Sequence, residues 1–216
     1  MLGNIYLHYV LDLWFEKVVQ PACAGKAYLV RFADDFLVCF EQPQDAQRFA
    51  AQLPMRMHQF GLELAPEKTR RLPFGHRAWI ATEARHEPRV TFDFLGMTHF
   101  GARTRKGRWQ LQRRPTKKSR RKFLQKVKQT LKARWHDGIL VHQRYLNAAL
   151  QGYYRYFGYP GCLPGLNTLR QQVLYAWYQV LRRRSQRSPQ GWAWYLAQGW
   201  FMAPVPKLRP RGVTAR

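Results

Sequence analysis

At 216 residues the chain is long enough for one large domain or two small ones, and 46% hydrophobic with 15% aromatic content excludes a disordered protein. The net charge of +25 is lopsided: residues 1–100 hold 11 basic and 11 acidic side chains, residues 101–216 hold 26 basic ones against Asp137 alone. A neutral half joined to a cationic one implies a polyanionic partner; no apolar run reaches the ~18–20 residues of a spanning helix, so nucleic acid is preferred and no membrane partner is expected. There is no cleavable signal pattern at the start. Cys23, Cys39 and Cys162 are odd in number and far apart. They exclude a Cys-x-x-Cys zinc or redox site and read as buried thiols in a cytosolic protein.

In chain order, residues 4–19 place Ile5, Leu7, Leu11, Trp14, Phe15, Val18 and Val19 at spacings of three and four. This predicts a helix that is apolar on most sides and well buried, with Asn4 as its cap. After a loop over 21–26, two apolar runs, 28–32 and 36–40, flank Ala33-Asp34-Asp35 and predict a tight β-hairpin. Such a turn holds two adjacent carboxylates on a rigid platform, hard oxygen donors of the kind that bind Mg²⁺. Taken alone, the pair reads as no more than a polar hairpin tip, and the rest of the chain decides.

Residues 44–53 predict a helix with Ala46, Phe49, Ala50 and Leu53 on one side. Leu62 and Leu64 alternate as a short strand before Ala65-Pro66-Glu67-Lys68-Thr69, residues 76–90 read as a loop, and 90–100 as a second hairpin pivoting near Gly96. The first hundred residues therefore predict an α+β layer with an antiparallel sheet. The character changes near Arg103. Residues 116–135 set Phe123, Leu124, Val127, Leu131 and Trp135 on one helical stripe, with cations elsewhere. Residues 140–157 and 165–184 repeat the pattern, and 192–201 predict a short fourth helix. These make an all-helical bundle with basic outer faces, followed from 203 by a disordered, Pro-rich basic tail.

In that order the features resemble the reverse transcriptase encoded by group II introns, a combined polymerase and splicing maturase. Phe32-Ala33-Asp34-Asp35 matches the family's aromatic-Ala-Asp-Asp palm motif, with Phe where Tyr is commoner. Residues 4–12 look like the helix that follows the family's template-contacting Pro-Gln-Gly segment, and 61–69 are similar to the palm motif that carries a lysine, here Lys68. Phe94, Leu95 and Gly96 resemble the primer-grip hairpin, and 146–158 the thumb, or maturase-specific domain, that binds intron RNA. Each string is short; their shared order makes the resemblance specific. It implies an α+β fold: a partial polymerase palm over 1–102, an all-α basic thumb/maturase bundle over 103–202, and a tail over 203–216. The family's fingers, its Pro-Gln-Gly segment, an early strand with a third metal-binding Asp and its C-terminal endonuclease have no counterpart. The chain is therefore expected to be an N-terminally truncated, downstream part of a longer protein.

The resemblance also implies the chemistry. Polymerisation uses two Mg²⁺ ions about 3.5–4 Å apart, one activating the primer 3′-hydroxyl and one holding the triphosphate. Asp34 and Asp35 would be the metal site, with Asp34 ligating more directly, and Lys68 would stabilise or protonate the leaving group. Phe94, Leu95 and Gly96 would press on the primer backbone. The implied partners are RNA (group II intron RNA and template), a DNA primer and a dNTP. With one carboxylate and the fingers missing, the chain alone is expected not to polymerise. Lys117, Lys118, Arg121, Lys122, Lys128, Lys132 and Arg155 are candidate RNA contacts, because a solvated helix normally mixes signs and 117–132 contains no acid. Tyr153, Tyr154, Tyr156, Phe157 and Tyr159 could stack on unpaired bases, although such aromatics are more often core. Two alternatives stand beside this reading. One is a non-enzymatic, intron-binding splicing factor; the other is a general basic nucleic-acid protein whose Asp34-Asp35 is only a turn.

Overall fold

The computed structural model describes residues 2–104, 106–184 and 191–208. Helices and small antiparallel sheets give the expected α+β class, in two compact units, Met1–Ala78 and Trp79–Arg216.

The first unit opens on a helix that starts as α1 (Leu2–Leu7) and continues through two widened turns, His8–Asp12 and Phe15–Val19. There each amide reaches one residue further back than in an α-helix: Gln20 N–H donates to the Phe15 carbonyl at 2.8 Å. Val10, Leu11, Phe15 and Val19 are buried, whereas Leu2, Ile5, Tyr6, Tyr9 and Val18 are exposed. The expected burial on most sides is thus corrected, because the neighbouring hairpin and helix cover a single stripe. Asn4 does not cap the helix but lies within it, its side-chain oxygen accepting from Arg31 at 3.2 Å.

Next come β1 (Ala27–Phe32) and β2 (Asp35–Phe40), an antiparallel pair with Phe32 opposite Asp35. Then α2 (Pro43–Gln59) runs beyond the expected 44–53 and straight through Pro54. A proline forgoes one backbone hydrogen bond. Phe49, Leu53 and Met57, buried at successive four-residue intervals on both sides of it, hold the helix together. The Phe49 ring lies 5.6 Å from Trp14 and 5.3 Å from Phe40, and burying a ring of that size contributes about 1.5–3 kcal/mol. Leu62 and Leu64 form no strand; Leu62 N–H instead closes the end of α2 on the Met57 carbonyl at 3.0 Å, and both leucines pack on this core.

The division between units falls inside α3 (His76–Ala84), where a loop was expected. Ala78, Ala81 and Ala84 supply helix propensity, and His86, with φ +56°, lies just past its end. In the second unit β3 (Thr91–Phe94), β4 (Met97–Arg103) and β5 (Trp109–Pro115) form an antiparallel sheet in that order. β5 is a correction to the all-helical second half, which begins only at Lys117. Gly101 is required on β4: a Cβ there would lie 2.8 Å from Trp79 Cδ1 and 2.7 Å from Trp109 Nε1.

Thr116 then caps α4 (Lys117–Ala133), its hydroxyl accepting from Ser119 N–H at 3.0 Å. α5 (Ile139–Phe157), α6 (Leu163–Arg182) and α7 (Trp192–Ala197) complete the bundle. Val127, Leu131, Leu146, Leu150, Leu166 and Trp177 fill its core. At its centre His142 is wholly buried: Trp177 Nε1–H donates to Nδ1 at 3.2 Å, which leaves Nε2–H to donate to the Arg134 carbonyl at 2.7 Å. Contrary to the expected tail from 203, Ala203 and Pro206 are buried and Arg170 Nε–H donates to the Ala203 carbonyl at 3.0 Å. Proline leaves few backbone donors to satisfy, so this stretch can pack without regular structure. The rest of that tail, 209–216, lies outside the described residues.

Candidate metal hairpin and nucleic-acid surface

The β1–β2 register leaves a two-residue turn, Ala33-Asp34, with Asp35 opening β2. Ala33 has φ +54°, in the left-handed region, and Asp34 does not share the positive sign. The left-handed conformation costs an alanine about 1–2 kcal/mol, so the surroundings must enforce it. Arg31 is the enforcing residue. Its Nε–H and one terminal N–H donate to the two Asp12 carboxylate oxygens, each at 2.7 Å, and another N–H donates to the Ala33 carbonyl at 2.9 Å. The turn is thereby tied to the opening helix. Arg31 holds the Asp12 carboxyl below its ordinary value and is itself raised by that bond. At the base of the hairpin, buried Asp45 accepts from Gly25 N–H at 3.1 Å and pairs with Arg48. The Arg31 clamp was not visible in the sequence: Asp12 and Arg31 stand 19 residues apart and no local pattern joins them.

Asp34 and Asp35 themselves are exposed, and among the described residues neither carboxylate takes a hydrogen bond or ion pair from the protein. Unengaged carboxylates on a braced turn suit a Mg²⁺ ion, which accepts one or two carboxylates and keeps waters and substrate phosphates as its remaining ligands. The described residues contain no group of three or more His, Cys, Asp or Glu side chains that could hold a metal. Lys68 is exposed on a turn in which Lys68 N–H and Thr69 N–H both donate to the Ala65 carbonyl, at 3.1 and 3.0 Å. No hydrogen bond or ion pair joins it to Asp34 or Asp35 among the described residues.

The second hairpin lies in the second unit. Leu95 and Gly96, with φ +49° and +73°, form its two-residue turn, and Phe94 faces Met97. Three groups from the bundle hold the tip. Thr116 N–H and the Ser119 hydroxyl donate to the Gly96 carbonyl at 3.0 and 3.1 Å, and the Tyr156 hydroxyl donates to the Leu95 carbonyl at 2.9 Å. A Cβ on Gly96 would come within 2.9 Å of Ser119 Oγ.

Along α4 the side chains of Lys117, Lys118, Arg121, Lys122, Lys128 and Lys132 are all exposed, and among the described residues no acid pairs with any of them. Arg155 is exposed on α5. The aromatic candidates divide. Tyr153, Tyr154 and Phe157 are core residues that cannot reach a base, and burial pushes the Tyr153 and Tyr154 hydroxyls up to about 12. Tyr156 keeps an exposed ring, and Tyr159 lies under the Arg113 guanidinium at 3.7 Å.

An exposed acidic turn on a two-stranded platform, in a chain with a strongly basic second unit, is a combination suited to phosphate chemistry on a nucleic acid. Residues 1–99 match the family model described as reverse transcriptase (RNA-dependent DNA polymerase), and the match includes both the Asp34-Asp35 turn and the Leu95-Gly96 turn. No curated protein matches the chain.

Proposed function

We propose that the chain is the palm-to-thumb portion of a group II intron reverse transcriptase and maturase, with a palm part over 1–102, a thumb/maturase part over 103–202 and a short basic tail. The observation that carries this reading is the aromatic-Ala-Asp-Asp sequence at the tip of a braced hairpin inside a stretch similar to reverse transcriptase. Asp34 and Asp35 hold Mg²⁺, which when bound neutralises charge on a transferring phosphoryl group. Arg31 keeps the two carboxylates in place; Lys68 serves the triphosphate; Phe94, Leu95 and Gly96 position the primer. The α4 cations and Arg155 hold template and intron RNA, with a DNA primer and dNTPs as the further partners. The three thiols are unpaired, with Cys162 buried as expected but Cys39 exposed, and they suit a reducing, cytoplasmic location.

With two carboxylates at the site, the chain alone makes no cDNA on a primed RNA template, while Mg²⁺ shifts the amide resonances of residues 33–35 and Asp34→Asn abolishes that response. A Mg²⁺ response that survives Asp34→Asn removes the metal reading. Robust extension by the chain alone removes the claim that its site is incomplete.

The splicing-factor reading is favoured by one observation, the six exposed α4 cations without acidic partners among the described residues. If intron RNA binding is unchanged in Asp34→Asn and no polymerisation appears under any complementation, the binding role stands alone.

A further inference from the structure

A second basic feature in the Trp79–Arg216 unit is separate from the α4 face. Around the β4–β5 connection lies an open groove of about 700 Å³, lined by Arg103, Lys106, Arg108, Gln110, Gln112 and Gly161. Its rim is built by hydrogen bonds. Thr104 N–H donates to the Arg108 carbonyl at 2.8 Å, Gly107 N–H to the Thr104 carbonyl at 2.9 Å, and Arg108 N–H to the Thr104 hydroxyl at 3.1 Å. Arg103 forms a fixed wall, bonded to Glu83 at 2.6 Å and lying 5.1 Å over the Trp79 ring. Lys106 and Arg108 differ from it: both are exposed, and no acid pairs with either among the described residues. Gln110 and Gln112 stand two apart on β5 and so share one face of the sheet. Opposite them Gly161, at φ +91°, leaves the wall bare; a Cβ there would approach Gln112 Oε1 to 3.3 Å.

We infer that this groove seats the phosphodiester backbone of an RNA strand, with Lys106 and Arg108 on successive phosphates and Gln110 and Gln112 on sugar and phosphate oxygens. Two uncompensated cations attract phosphate, and side-chain amides, which both donate and accept, suit the 2′-hydroxyl, itself a donor and an acceptor. The concavity matters equally. A flat bilayer headgroup plane cannot enter it, and no large apolar side chain lines it to insert among lipids. The inference rests on the RNA-binding reading above but names a surface outside α4.

The test is fluorescence anisotropy of the full chain with a labelled structured RNA, from about 50 to about 200 mM salt, where phosphate contacts dominate the affinity. Lys106→Glu/Arg108→Glu changes only exposed side chains at the turn, and circular dichroism checks that the fold is kept. Binding is expected to weaken at least about tenfold at the lowest salt, and the slope of log K against log salt to shrink by about 1.5–2, the release from two phosphates. Gln110→Ala/Gln112→Ala should weaken binding severalfold and leave the slope unchanged.

Wild-type affinity and slope in the double charge reversal, with loss in Lys117→Glu/Lys118→Glu, overturns the groove while sparing the α4 reading. No RNA binding by the unaltered chain overturns both. Binding to phosphatidylserine-containing vesicles that the reversal abolishes, with RNA affinity untouched, assigns the groove to a membrane surface and overturns the proposal.

Discussion

Arg31 braces the turn with one guanidinium, bonding both oxygens of Asp12, the side-chain oxygen of Asn4 and the carbonyl of the strained Ala33. The Arg31 and Asp12 side chains are 14% and 27% exposed, so the pair is only partly screened. Arg31 depresses the Asp12 carboxyl below 3.8 in the folded chain. A carboxyl lowered on folding stabilises fully above its unfolded value and loses that contribution as pH falls through its folded value. The clamp is therefore intact at neutral pH and is lost only as pH falls below the ordinary carboxylate range. We expect Asp12→Asn to cost about 1–3 kcal/mol at pH 7 and to flatten the fall in stability on acidification through and below that range. Urea unfolding across that range measures both; an Asp12→Asn curve that coincides with wild type at pH 7 removes the clamp from the account. The hairpin turn at Ala33-Asp34 could be read from sequence because turn chemistry and strand pattern are local. Its brace could not, since the bonds from Arg31 to Asp12 form only once the hairpin has docked on the opening helix.

Elements were legible where one periodicity ran uninterrupted. Val127 and Leu131, Leu146 and Leu150, and Leu166, Leu169 and Val173 repeat at helical spacing and are buried as that spacing requires. The misses have physical causes. α3 has a weak stripe, with none of its residues buried, so no period announced it. In β5 the alternation of Trp109, Leu111 and Arg113 with Gln110 and Gln112 was hidden by its basic surroundings. α2 crosses Pro54 because packing at Phe49, Leu53 and Met57 outweighs the lost backbone bond. Tyr153 and Tyr154 show the limit of reading chemistry from residue type. Their hydroxyls are buried and find no partner among the described residues, and burial pushes both up to about 12. An unsatisfied buried hydroxyl costs free energy that phenylalanine avoids at nearly the same volume. We expect Tyr153→Phe and Tyr154→Phe each to raise stability by about 1 kcal/mol and to leave RNA affinity unchanged. Denaturation midpoints and a binding isotherm decide it. A loss of stability means the hydroxyls are bonded, and a loss of affinity means the rings reach RNA after all.

At the scale of the molecule, charge is distributed in a way that packing does not require. Six ion pairs among the described residues lie between His8 and Arg103, where acids and bases are nearly balanced in number. Beyond Arg103 a single acid, Asp137, faces a long run of cations, so most of them can be neutralised only by a partner. Holding like charges together on a folded surface opposes folding, and a bound polyanion relieves it. If the six exposed cations of α4 each meet a phosphate, log K falls against log salt with a slope near −4 to −5, about a thousandfold between about 50 and 200 mM. The location of the charge can be tested as well as its amount. Lys128→Glu/Lys132→Glu, on the exposed face of α4, should shrink the slope by about 1.5–2. Lys17→Glu/Lys26→Glu makes the same net change in the balanced first unit and should leave the slope as it is. If both pairs shrink it equally, RNA responds to total charge and the cationic half is no specific surface. If only the α4 pair does, the asymmetry in the sequence is the footprint of the bound strand.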